Sequence, residues 1–161
     1  MADAYELDDR SPTPRFLTID RRVPEAVRQL VEEADGCLNM NFATGGSACI
    51  RRALRRTFEV EGVEEGDFVA SVQALAQKHQ GVAPTLFQVI ELLGAGEEAL
   101  ANDALKALIA TFKGVLYEVY VLGEERAETL AYLSKLLQAV DRDAAQRPQK
   151  NKTTAFPTRP K

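Results

Sequence analysis

Four arginines stand within six consecutive residues, at Arg51, Arg52, Arg55 and Arg56, inside the stretch 42–62 that reads FATGGSACIRRALRRTFEVEG. A guanidinium is planar, permanently charged and able to grip a phosphate or a carboxylate through two parallel N–H donors. Such a cluster is therefore a candidate for binding phosphate, nucleic acid or an acidic partner. A competing reading is internal. Arg55 has Glu59 four residues on, and Glu32 and Glu33 belong to the preceding helix, so the same side chains can form surface and interhelical ion pairs. In a chain with 24 acidic and 20 basic residues, the internal reading carries the greater weight.

Other chemistry-bearing residues are sparse. Cys37 and Cys49 are the two cysteines, both in apolar-periodic segments, and read as small buried hydrophobes rather than a disulfide framework. His79 is the single histidine, so neither a structural zinc cluster nor a histidine-rich catalytic metal site is expected, and no cofactor. No nucleophile-elbow pattern gives that histidine a serine or cysteine to activate. It reads as a C-terminal dipole partner at a helix end, and Tyr117, Tyr120 and Tyr132 as half-buried packing residues with solvated hydroxyls. One apolar seam stands apart: Leu130, Leu133, Leu137 and Val140, spaced three, four and three. That spacing caps a bundle or pairs with the same helix of a second copy.

The elements that must position these residues are helices. Pro24 opens the first, with Val27, Leu30, Val31, Ala34 and Leu38 on one face and Glu32, Glu33 and Asp35 outside. Gly45 and Gly46 serve either a turn or a tight helix contact, and the turn is preferred slightly. The arginine helix follows, with Cys49, Ile50, Ala53, Leu54 and Phe58 inward and all four arginines on the opposite face. Residues 59–67 form an acidic loop. Asp67 caps a third helix that ends near Gly81, and Pro84 starts a short, nearly all-apolar fourth. A long fifth helix starts at Glu97 and ends at Gly123, and a sixth runs from Glu124 to about residue 145. No period-two pattern persists and no internal repeat is present. The expected fold is all-α, an antiparallel bundle of about five to six helices. Residues 1–22 read as a flexible arm, 23–145 as the bundle and 146–161 as a disordered basic tail.

Charge bounds the partners. The tail carries Arg147, Lys150, Lys152, Arg159 and Lys161 and no acid, whereas the whole chain is at −4, leaving about −9 on the rest. An acidic body with a basic tail is not the profile of a dedicated DNA-binding domain. No apolar run approaches the ~20 residues of a membrane span, and the polar N-terminus matches neither a signal nor a transit peptide. No membrane partner is therefore expected, and the expected location is cytoplasmic.

In their order, these segments resemble a known family. AVRQLVEEADGCL leads through a small-residue turn to ACIRRALRRTFE. Then come DFVASVQALAQK, PTLFQVIELLGAG and ALIATFKGVLYEVY. The run over residues 23–121, about 60% of the chain, resembles the bacterial domain-of-unknown-function family 4145, grouped with the HEPN superfamily of helical bundles. Arg55 and Glu59 match that family's arginine followed four residues later by glutamate. The resemblance implies a HEPN-like bundle but not its chemistry. Active HEPN ribonucleases place a histidine four to six residues beyond an arginine, and here the residues at those distances before His79 are Gln73, Ala74 and Leu75. The asparagine and histidine common after the family's proline-started helix are also absent from residues 93–99, LGAGEEA.

The expectation is therefore a non-catalytic interaction or regulatory module: a self-associating accessory protein of bacterial or phage origin, forming a homodimer or binding a protein partner. The alternative is a nucleic-acid-binding protein using the arginine helix and the tail, and a HEPN-type ribonuclease stands third.

Overall fold

Helices are the only regular elements among residues 14–146, which the computed structural model describes. A short 3₁₀ turn at Arg15–Leu17 precedes α1 (Glu25–Asn39), α2 (Ala43–Glu61), α3 (Phe68–Lys78), α4 (Pro84–Gly94) and α5 (Asn102–Leu116). A π-helical turn, Tyr117–Leu122, then joins α5 to α6 (Gly123–Gln146). The chain falls into two units, residues 1–124 and 125–161, whereas the sequence reading ran one bundle to residue 145. Most of the expected N-terminal arm (residues 1–22) and all but the first residue of the expected tail (146–161) lie outside the described residues. Within the arm, Ile19 packs on the core and Phe16 and Leu17 sit in the 3₁₀ turn.

Local chemistry explains most helix boundaries. Pro24 caps α1 and its carbonyl receives the N–H groups of Val27 and Arg28. Asn41, at φ 58°, makes the tight reversal that lays α2 back along α1, a left-handed conformation that asparagine tolerates. Asp67 caps α3 by accepting from the Ala70 N–H at 3.3 Å. Helix α2 runs three residues into the expected acidic loop and stops at Gly62, φ 66°. There the Gly62 N–H bonds to Glu59 O and the Val63 N–H to Phe58 O, the paired bonds of a Schellman ending.

The core of the first unit is built around α2, which touches α1, α3, α4 and α5. Ile50, Ala53 and Leu54 of α2 are fully buried, against Val27, Val31 and Ala34 of α1 and Leu105, Leu108 and Phe112 of α5. Two glycines set how closely these helices approach. Gly46 lies inside α2, not in a turn, because a Cβ there would stand 2.7 Å from Leu105 Cδ2. At Gly94 a Cβ would stand 2.7 Å from Phe68 Cζ, so the end of α4 also packs through a missing side chain.

Two more helix limits differ from expectation. Glu97 and Glu98 lie in a loop over residues 95–101, and α5 begins only at Asn102. Gly123 does not end a helix: its φ of −61° and ψ of −44° are helical, and its N–H bonds to Glu118 O across the π turn.

Candidate functional site

The four arginines do not share one face. Around α2, Arg51 sits only about 20° beyond Phe58, at the rim of the buried arc. It is 7% exposed, donating from Nε to Gly94 O at 3.3 Å and from Nη1 to Glu98 O at 2.5 Å. The expectation that it stands on the outer face is corrected by that geometry. Its guanidinium ties α2 to the end of α4 and the loop beyond. Arg56 pairs with Glu59 at 2.5 Å, so the expected partner of Arg55 is taken by its neighbour. Arg52 and Arg55 are exposed and make no hydrogen bond or ion pair with any described residue, Glu32 and Glu33 included.

Besides a cleft that Arg55 shares with Glu64 and Glu65, two clefts border these side chains. One, about 560 Å³, lies between α1 and α2 and is lined by Ala26, Gln29, Leu30, Arg52, Arg55, Arg56 and Glu59. The other, about 250 Å³, lies between the first turns of α2 and the 95–101 loop. It is lined by Thr44, Ser47, Ala48, Arg51, Arg52, Arg55, Gly96, Glu97 and Ala99. Ser47 fixes that loop by accepting the Leu100 N–H at 2.9 Å.

A polar cluster that sequence reasoning missed lies at the far end of α2. The Glu61 carboxylate accepts from Tyr120 Oη at 2.5 Å, meets His79 Nε2 at 2.9 Å and pairs with Lys78 Nζ at 3.1 Å. Burial pushes this carboxyl upward, but the bonds from Tyr120, His79 and Lys78 more than offset it and hold it below its ordinary value. Burial, and then the bond to Glu61, raise the Tyr120 phenol above its ordinary range. Thus Tyr120 does not keep a solvated hydroxyl, and His79 has a carboxylate partner besides its position at the end of α3. The sequence carries no spacing that joins residues 61, 79 and 120, because the fold alone brings them together. A second cross-tie of the same kind links Lys113 of α5, buried, to Asp35 of α1.

Both cysteines are free and half-buried rather than core. Burial, followed by the nearby Cys37 and Glu33, raises the Cys49 thiol above its ordinary value, a setting for an unreactive thiol.

No residue of α6 is buried. Its seam is open along its length: Leu130 is 65% exposed, Leu133 46%, Leu137 65% and Val140 63%. Leu136 and Tyr132, not part of the expected seam, are exposed beside it. No described helix is long and apolar enough to cross a membrane. Comparison of the chain with protein-family models, with curated proteins and with solved structures finds no match.

Proposed function

We propose that this protein is a non-catalytic helical interaction module that self-associates through α6. The observation that carries the reading is a 24-residue helix with no buried residue and an apolar seam at coiled-coil spacing. A surface helix normally turns such a stripe onto a core. Here each seam residue still has about 1 kcal/mol of burial to gain from a partner. A second copy supplies a matching stripe.

The seam is symmetric about Lys135, so it accommodates an antiparallel pair centred there. In that arrangement Leu130 meets Val140 of the second copy and Leu133 meets Leu137. The HEPN-like helix order belongs to the same proposal, as a bundle scaffold carrying an association helix.

Sedimentation of the intact protein beside a Leu133→Asp, Leu137→Asp variant tests it. The intact chain is expected to sediment as a dimer at tens of micromolar, roughly the range of a small interface. The variant is expected to sediment as a monomer with unchanged helix content, since neither leucine is buried within the chain. An intact protein that stays monomeric at about 100 μM overturns the proposal.

A further inference from the structure

We propose that the smaller arginine cleft, between the first turns of α2 and the 95–101 loop, binds a phosphate group through Arg52 and Arg55, with Arg51 as a fixed third donor. Three guanidiniums line this space and one carboxylate, Glu97, accompanies them. Arg52 and Arg55 have no acidic partner among the described residues, although the chain holds more acids than bases. Arg51 is anchored by two carbonyl oxygens, which orient the side chain and leave its charge unneutralised. Its bonds use Nε and Nη1. No side-chain nitrogen or oxygen is both sealed from solvent and unpartnered among the described residues, so Nη2 keeps an opening.

The chemistry of the ligand follows from the donors. Guanidinium forks match oxyanions, and three of them lining one cleft favour a tetrahedral dianion with several free oxygens over a single carboxylate. The volume, about 250 Å³, holds a phosphate and a small remainder and lies just under the usual range for sites that enclose drug-sized molecules. The bound species is therefore free phosphate or the phosphate end of a small monoester. Ser47 contributes by holding Leu100, and with it the loop that forms the opposite rim.

Titration calorimetry on the full chain at low salt, with inorganic phosphate and separately with phenyl phosphate, tests the assignment. Saturable binding with a Kd on the order of 1 mM or below is expected for at least one of them. Equal affinities identify free phosphate as sufficient, and tighter binding of phenyl phosphate identifies an ester. Arg52→Gln and Arg55→Gln should each weaken binding about tenfold, as expected for loss of a charge-assisted hydrogen bond. Both residues are exposed, so the variants should keep the parent's circular dichroism and melting curve. Arg56→Gln is the control, since Arg56 is paired with Glu59 and lines only the larger cleft of the two; it should change affinity less than about twofold. Three results overturn the proposal: no saturation by about 10 mM of either probe, a loss at Arg56→Gln equal to that at Arg52→Gln, or binding of a single-stranded polynucleotide with none of either probe.

Discussion

Three glycines in the α1–α2 hairpin allow one substitution to be made in three different spaces. Gly36, Gly45 and Gly46 all have helical neighbours and none has a positive φ, so each gains about 1 kcal/mol of helix propensity on becoming alanine. What a new methyl meets differs. At Gly36 nothing lies within 4 Å, and the full gain should appear. At Gly45 it meets Cys37 Sγ at 3.2 Å, the movable end of a half-buried side chain, so part of the gain survives. At Gly46 it meets Leu105 Cδ2 at 2.7 Å, with Ala34 O and Cys37 Cβ at 3.5 and 3.4 Å behind it. Leu105 is fully buried and cannot swing away. Overpacking of that kind costs about 1–3 kcal/mol and outweighs the propensity gain, for a net loss near 1 kcal/mol. In a chain of this size 1 kcal/mol moves the melting temperature by roughly 3 °C. Thermal and urea unfolding followed by circular dichroism should therefore rank Gly36→Ala above the parent and Gly46→Ala below it, with Gly45→Ala between them. A Gly46→Ala variant as stable as Gly36→Ala would refute the reasoning, because it would mean that α1, α2 and α5 are not held at the spacing described.

Two further predictions concern the polar ties. Replacing Arg51 by methionine keeps the apolar stem but strips the donors from Gly94 O and Glu98 O, and urea unfolding should show a loss of about 2–4 kcal/mol. Lysine at the same place should recover only part, since an ammonium cannot reproduce the fork; a methionine variant as stable as the parent would count against the tie. Glu61 gives a pH signature whose sign is fixed by its depressed folded-state pKa. Its contribution is fully present above the ordinary carboxyl value of 4.5 and is lost as pH falls through the lower folded value. Urea midpoints of the parent and Glu61→Gln should separate near neutrality and converge in acid, and a gap independent of pH would rule out the ionised carboxylate as its source.

How much of this was legible depended on whether a residue's role was local. The Asp67 cap, the Pro84 start and the all-helical bundle follow from a few neighbouring residues, and the structure has each of them. The glycines were harder, because one residue type serves three purposes that composition does not separate. Gly62 stops a helix by taking a positive φ, Gly46 stays helical to admit Leu105, and Gly123 passes straight through a π turn. A carboxylate such as Glu61, whose partners come from α3 and the π turn, has no signature along the chain at all. The arginines lie between these extremes. The run RRALRR looks like one basic face, but four positions at about 100° per residue spread over roughly 140° of the helix. A buried arc wide enough to meet four partner helices reaches the first of them. Arg51 therefore goes inside and needs acceptors, and the end of α4 and the 95–101 loop supply carbonyls rather than carboxylates. Arg56, at the other end of the arc, reaches Glu59. The two in the middle are left with neither core nor acid. That division, set by helical angle alone, concentrates uncompensated charge on Arg52 and Arg55 beside an oriented Arg51.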